Sequence, residues 1–295
     1  MRKNYAVLLI ICIGLTICRS GCPVYAESFS IKLTETIDME FVRITSGSLT
    51  RRPGYREQPS NPVELASFYL GKYEVTQAQW IAIMGSWPVE LYYQEKDDQQ
   101  CESPSVKKTV ESDIMIEEKR VCDNYPVYWV SFFDAARFCN ALSIAQGLEP
   151  CYEIEEYAII WNKNSNGYRL PTGDEWEYAA TSGLSASDNY TETRHSASNP
   201  IQLNPIGQKS PNLCGLYDMT GNVAEWCWYQ PPPPYITEED VERWRNDPME
   251  SWRILDEPVA PTHKIRGHSL YHVIICSASV RRRDVGFRIA RTVGP

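Results

Sequence analysis

Two carboxylates in a glycine-containing turn have a type and spacing that suit the binding of a metal ion. Asp218 and Glu225 lie seven positions apart in GLYDMTGNVAEWCW, residues 215–228. Gly221 and Asn222 between them allow a tight turn. A hard cation such as Ca²⁺ prefers several oxygen ligands, carboxylates among them. The same pattern also fits a hydrogen-bonded turn in which Glu225 accepts bonds from the backbone or from an arginine, so both interpretations stay open.

Cysteines are the second group of residues that could do chemistry. Seven lie beyond residue 27, at Cys101, Cys122, Cys139, Cys151, Cys214, Cys227 and Cys276. In an exported protein this odd number leaves at least one thiol without an internal partner. The absence of a CxxC pair argues against a zinc knuckle and against a thioredoxin-like redox site. Cys101 and Cys122 flank a charged insert that a disulfide would staple, whereas Cys139 lies in an apolar helical register and fits a small core residue.

Composition limits the class of protein. The chain has 295 residues, 43% hydrophobic and 23% charged, with a formal net charge of −9. These values are near the globular norm, which excludes global disorder and a multi-span membrane protein. Nucleic-acid binding needs a basic face, so the acidic balance predicts no nucleic-acid partner.

The N-terminus has the pattern of an export signal. Arg2 and Lys3 precede an apolar run over residues 6–17. A membrane-spanning helix needs roughly 20 apolar residues, so this run is too short to span a bilayer comfortably. A basic start, a short apolar stretch and small residues are typical of a signal peptide. We therefore expect residues 1–26 to direct export and a single domain to occupy residues 27–295.

Two fates of this signal stay open. The small residues Val24 and Ala26 fit ordinary cleavage before Glu27. Alternatively, Cys18 or Cys22, which directly follow the apolar run, is the lipidated cysteine of a bacterial lipoprotein. Cleavage predicts a periplasmic or secreted protein. Lipidation predicts an outer-membrane or cell-surface lipoprotein that a lipid holds to the membrane.

Short helices and strands must position these residues. Three Ser/Thr residues are followed three positions later by a side chain that completes a capping box: Thr76 with Gln79, Ser131 with Asp134, and Thr172 with Glu175. Strand-like segments cover residues 39–44, 68–75 and 285–291. Polar or proline-rich inserts lie near 90–125 and 229–263. The pattern predicts an α+β domain that is rich in loops.

Six phrases along the chain resemble the formylglycine-generating-enzyme (sulfatase-modifying factor) family. They occur in the family's order at residues 39–49, 68–80, 125–143, 167–180, 215–228 and 265–291. GYRLPTGDEWEYAA and DMTGNVAEW are long and specific. The resemblance implies a C-type-lectin-like fold of the formylglycine-generating-enzyme type, with short helices and a small antiparallel sheet. It also implies a structural calcium site formed by the Asp218 and Glu225 side chains and the Gly221 and Val223 carbonyls.

The resemblance does not extend to catalysis. Enzymes of this family oxidise a substrate cysteine with two cysteines that bind copper and follow a G-G-S segment. Here the matching segment is Gly267-His268-Ser269, and the two cysteine positions become His272 and Ser277. Cys276 is one position away and has no nearby partner. A single thiolate cannot supply the paired soft ligation that copper(I) favours, so we expect no copper and no enzyme activity.

The composition of residues 268–285 points to a binding function instead. These 18 residues contain no Lys, Glu, Gln, Met or Trp, although these types make up about a fifth of the chain. Every residue present is reachable from an AAC or AAT codon by changing adenines. This set is typical of diversity-generating retroelements, whose targets resemble this chain in placing a variable stretch before a C-terminal GFR.

The resemblance therefore predicts an exported, surface-displayed protein with a diversified binding site in the C-terminal segment, defined here as residues 268–284. The expected ligand-facing residues are His268, Leu270, Tyr271, His272, Val273, Ile275, Val280, Arg282 and Asp284. The expected ligand is a protein or glycan at a cell surface, bound by a monomer. Three alternatives stay open: a fixed-ligand or accessory protein, a formylglycine-type cysteine oxidase that uses Cys276 alone or a displaced pair, and a buried strand at LYHVIIC, whose composition also suits a core.

Overall fold

The computed structural model describes residues 10–12, 27–50, 62–88, 123–155, 158–181, 203–229, 262–267 and 273–293. These residues form three helices, α1 (Gln77–Met84), α2 (Phe132–Ala145) and α3 (Gly173–Thr181). The strands, in chain order, are β1 (Ile10–Cys12), β2 (Ser28–Lys32), β3 (Asp38–Ile44), β4 (Gly47–Leu49), β5 (Val63–Leu65), β6 (Phe68–Gly71), β7 (Tyr152–Ile154), β8 (Ile159–Trp161), β9 (Tyr168–Arg169), β10 (Ala224–Cys227), β11 (Thr262–Arg266), β12 (Ile274–Ser277), β13 (Val285–Gly286) and β14 (Ala290–Thr292).

The predicted capping boxes begin all three helices. At α2, the Ser131 hydroxyl accepts from the Asp134 N–H at 3.1 Å, and the Asp134 carboxylate accepts from the Ser131 N–H at 2.8 Å. The equivalent reciprocal bonds occur before α1 and α3. Gly85 ends α1 in the left-handed conformation, with φ of 76°. These local contacts satisfy backbone groups that a short helix would otherwise leave unpaired.

Two sheets organise the described chain. The larger has six strands in the order β1-β2-β3-β6-β14-β9, and the smaller has four in the order β12-β11-β10-β13. Most pairs are antiparallel, whereas β10 and β13 are parallel. Two further hairpins, β4-β5 and β7-β8, complete the strands. The α+β class with short helices and small antiparallel sheets is therefore confirmed.

The larger sheet is buried on both faces. In β3, Phe41 belongs to one hydrophobic cluster, which also holds α2, while the next residue, Val42, belongs to the other, which also holds α3. Cys139 is fully buried in the α2 cluster, which confirms its predicted core position. Alternating residues of β3 thus face two hydrophobic clusters, one that includes α2 and one that includes α3, on opposite sides of the sheet.

Two predicted strands differ from the structure. The segment 68–75 leaves the sheet after Gly71, and its last residue, Val75, exchanges backbone bonds with Phe287 and Val127 instead. The segment 285–291 divides between β13 and β14, which lie in different sheets. Between these two strands the chain crosses from one sheet to the other and turns the Arg288 side chain into the interior. Strand propensity alone does not reveal this crossing.

Several expectations lie outside the described residues. The proposed lipidation sites Cys18 and Cys22 and the flanking pair Cys101 and Cys122 are among them. β1 falls within the predicted signal and pairs with β2. Within the described part of the chain, no helix combines the length and apolar character needed to cross a membrane.

Candidate functional site

The Glu225 carboxylate lies at the centre of a buried polar network. Strand β10 places it between β11 and β13, and its side chain is fully buried. Arg288 donates to both oxygens, from Nε at 2.7 Å and from Nη2 at 2.7 Å. The Trp176 indole adds a third bond at 2.8 Å. The bidentate geometry fixes the orientation of both charged groups.

Two more carboxylates complete this network, which we define as Glu74, Asp218, Glu225 and Arg288. Glu74 accepts from the Val223 N–H at 3.0 Å and from the Asn222 amide at 2.6 Å. Burial raises the pKa of Glu74 well above its usual range, and the nearby Glu225 and Asp218 charges raise it further.

The turn from Asp218 to Asn222 explains part of this placement. Asp218, Gly221 and Asn222 all have φ between 54° and 87°, in the left-handed region. Glycine adopts this region readily, and Asp and Asn tolerate it better than other residues. The Asp218 carboxylate accepts from the Gly207 N–H at 2.6 Å, which ties the turn to a neighbouring loop.

These residues, as placed, do not fit the calcium site that the resemblance implied. Calcium takes six to eight oxygen ligands, roughly, but both oxygens of Glu225 are bound by a cation and an indole. Among the described residues, no group of three or more His, Cys, Asp or Glu side chains is arranged to hold a metal ion. The structure favours the other interpretation, in which Glu225 accepts bonds from an arginine.

The thiol considered for catalysis lies on an edge strand. Cys276 is half-buried in β12 and lies opposite His263 of β11. His263 is buried, and burial lowers its pKa to about 3, so its imidazole is neutral at physiological pH. The His263 ring stacks on the Phe132 ring, with ring centroids 3.4 Å apart. Ser277 lies beside Ser279, with their hydroxyls 3.0 Å apart, and His272 lies outside the described residues.

The C-terminal segment is held to the rest of the protein by its backbone. The Phe132 N–H donates to the Ala278 carbonyl at 2.9 Å, and the Trp129 N–H donates to the Arg282 carbonyl at 3.1 Å. The Ala224 N–H donates to the Asp284 carbonyl at 2.7 Å. In each bond the segment supplies only a main-chain carbonyl, which every amino acid carries.

Two glycines bracket the segment. Gly267 has a φ of 105°, a value that residues with a side chain rarely adopt. A Cβ at Gly286 would clash with the Val127 carbonyl. The path of the chain into and out of the segment is therefore set by glycines at its ends.

The predicted ligand-facing residues differ in exposure. Ile275 is 55% exposed, Val273 and Val280 are half-buried, and the Arg282 side chain is 39% exposed. Asp284, by contrast, is buried. It lies in the turn between Arg282 and Val285, and its carboxylate accepts from the Arg282 side chain. His268, Leu270, Tyr271 and His272 lie outside the described residues.

Arginine–aspartate pairs shape the described part of the segment. Arg282 donates to both oxygens of Asp284, at 2.9 and 2.8 Å. This bonding raises the pKa of Arg282. Arg281 binds Asp134, the third residue of α2 and the partner of Ser131 in its capping box, at 2.8 Å. The motif S-F-F-D signalled this carboxylate, but its pairing with Arg281 is a long-range contact that sequence reasoning missed.

Comparisons with known proteins place these features in context. Residues 31–293 match the sulfatase-modifying factor enzyme 1-like domain. The chain is 31% identical over 270 residues to the chaperone protein LppX of Paenibacillus barcinonensis, covering 77% of this chain and 81% of that protein. It is 29% identical over 210 residues to the serine/threonine-protein kinase pkn1 of Chlamydia pneumoniae, covering 67% of this chain but only 28% of the kinase.

Among solved structures, the chain is similar to Treponema denticola variable protein 1. The two share 24% sequence identity, with a TM-score of 0.63, and the match covers 92% of this chain and 100% of the other. At this identity the likeness shows the fold. The predicted resemblance to variable proteins of this fold is confirmed.

Proposed function

Because the chain belongs to the sulfatase-modifying factor enzyme 1-like family yet has no cysteine pair at the family's catalytic positions, we propose that it binds a ligand and catalyses no reaction. In this proposal it is exported and displayed at the cell surface, and the C-terminal segment is a diversified binding site. A lipid on Cys18 or Cys22 would hold it to the membrane.

The backbone anchoring of the segment is the observation that carries this proposal. The N–H groups of Phe132, Trp129 and Ala224 donate hydrogen bonds to main-chain carbonyls of the segment. These bonds do not depend on which side chains the segment carries. A binding site that changes its residues without unfolding the protein needs a rigid scaffold of this kind.

The distribution of exposure supports the same function. Ile275, Ser279 and Arg283 are exposed, whereas Ala278 between them is fully buried. Ile274 and Cys276, on the opposite face of β12 from Ile275, pack against the α2 cluster. The fully buried strand that the composition also allowed would hide Ile275, which is not the case. An exposed isoleucine on an edge strand is available to a partner.

A fixed-ligand accessory role is the second candidate. The 31% identity to a protein named as a chaperone favours it, since the match spans most of both chains. This role uses the same fold without variation of the segment.

Sequencing the 3′ end of the gene from many sibling cells tests the proposal and separates the two candidates. We expect substitutions confined to the adenines of a nearby template copy, with a reverse transcriptase gene close by. The structure sharpens the expected pattern: codons 275, 279, 280 and 283 vary most, and codon 278 varies least because Ala278 is buried. An invariant 3′ end with neither template nor reverse transcriptase contradicts diversification and leaves the fixed-ligand role.

A further inference from the structure

The described part of the C-terminal segment is basic in an acidic protein. Residues 273–284 contain three arginines, Arg281 to Arg283, and one acidic residue, Asp284, although the chain has 38 Asp and Glu and a net charge of −9. Arg137 of α2 joins them, because Asp134 lies 3.6 Å from Arg137 and 2.8 Å from Arg281. Two carboxylates, those of Asp134 and Asp284, bind three of these four arginines, Arg137, Arg281 and Arg282.

The acidic and basic side chains of this region differ in their exposure to solvent. The Asp134 and Asp284 side chains are each only 10% exposed, whereas the Arg281 and Arg282 side chains are 35% and 39% exposed. Arg137 and Arg283 are exposed as well. A ligand approaching from solvent therefore meets guanidinium groups, with the carboxylates behind them.

The aspartates also fix the arginines before any ligand arrives. Asp284 binds the Nε and Nη2 edge of Arg282, and Asp134 binds the Nε and Nη2 edge of Arg281. Ordering a long side chain at an interface costs free energy, and these pairs remove part of that cost in advance. A guanidinium presents five donors, so the remaining donors are suited to a further carboxylate.

From this arrangement we propose that the surface formed by Arg137, Arg281, Arg282 and Arg283, here called the arginine surface, binds an acidic peptide segment of a partner protein. This inference rests on the proposed ligand-binding function and names the class of ligand. Carboxylates match the guanidinium fork, and the neighbouring Val280 and exposed Ile275 add the apolar contacts that protein interfaces combine with arginine. The net negative charge of the whole chain repels a long polyanion such as a nucleic acid more strongly than a short acidic peptide, which carries fewer charges.

Peptide arrays test this assignment with the full protein. The probes are short synthetic peptides rich in glutamate, serine and leucine, with matched sets in which glutamine or lysine replaces every glutamate. We expect binding to the glutamate set, weaker binding to the glutamine set and none to the lysine set. Binding should fall as salt rises, because partly exposed charges are screened.

Two charge-reversal variants localise the interaction. Arg283→Glu should lower the affinity for the glutamate peptides about tenfold, because a repulsive charge enters the arginine surface. Lys163→Glu makes the same change in net charge on the loop between β8 and β9, whose Gly167 packs against Ser143 near the C-terminal end of α2, and the affinity should stay within about twofold. Arg283 is exposed, so the variant should keep the thermal midpoint of the wild type.

The outcomes separate this inference from the proposed function. Equal binding of the glutamate and glutamine peptides overturns the proposal of an acidic ligand. An equal loss of affinity in Arg283→Glu and Lys163→Glu does the same. Either result leaves a binding protein of another specificity. Binding to heparin or single-stranded DNA without binding to acidic peptides also overturns it, in favour of another polyanion. Failure to bind any peptide, together with an invariant 3′ end, counts against the proposed function itself.

Discussion

Two arginine–carboxylate pairs in this protein have the same bidentate geometry in opposite surroundings. Arg288 and Glu225 are both fully buried, whereas Arg282 is 39% exposed against Asp284 at 10%. The first pair joins two sheets through bonds that also reach the Gly71 and Tyr217 carbonyls. The second orders a surface side chain. The same pairing therefore joins two sheets where it is buried and orders a surface side chain where it is partly exposed.

Removing the buried cation should have the largest effect. Arg288→Met leaves the Glu225 carboxylate buried with only the Trp176 indole, and such an unpaired buried charge costs about 3–5 kcal/mol. Urea unfolding should show this loss, or the variant should fail to fold. Lys72→Met, which breaks a partly exposed pair with Glu40, is the control and should cost less than about 1 kcal/mol. Similar losses in the two variants would refute the contrast between buried and exposed pairs.

The buried network should also make stability depend on pH through Glu74. The pKa of Glu74 is raised in the folded state, chiefly by burial, so the folded protein holds a proton that the unfolded chain releases at lower pH. Its contribution to stability is present below about pH 4.3, the usual glutamate value, and is lost as the pH rises through the folded pKa.

Glu74→Gln isolates this contribution. Thermal midpoints of the wild type and the variant, measured at a series of pH values from acid to neutral, should differ by an amount that changes with pH. The wild type should lose stability relative to the variant as pH rises, because only Glu74 can become charged. Parallel curves would mean that Glu74 has the same pKa in both states.

A smaller effect is expected at Ser131, where the fixed fold meets the segment. Ser131 caps α2 and also donates to the Asp134 carboxylate at 2.6 Å, which in turn binds Arg281. Ser131→Ala should cost about 1 kcal/mol of unfolding free energy, the usual value for a lost N-cap. Ser131→Thr keeps the hydroxyl and should recover most of it. An alanine variant as stable as the wild type would mean that Asp134 and Arg281 hold this helix end without the cap.

The sequence predicted the contacts that are local along the chain. The capping boxes at Thr76, Ser131 and Thr172 specify helix starts through residues three positions apart, and all three occur. The bond between Glu74 and Asn222 joins residues 148 positions apart, and no local pattern reveals it. Asp284 was expected at the ligand surface on composition alone, but the turn before β13 directs its carboxylate to Arg282 and leaves it buried.

The smallest effect should come from the exposed positions of the segment. Replacing Ile275 and Arg283 together with serine should change the unfolding free energy by less than about 0.5 kcal/mol per site, since both side chains are exposed and the anchoring bonds belong to the backbone. Ala278→Leu, at a fully buried position between them, should cost about 1–3 kcal/mol by overpacking. Urea titration of the two variants compares them directly. A double serine variant as unstable as the leucine variant would mean that side chains, and not the backbone, hold the segment, and a diversified site there would be untenable.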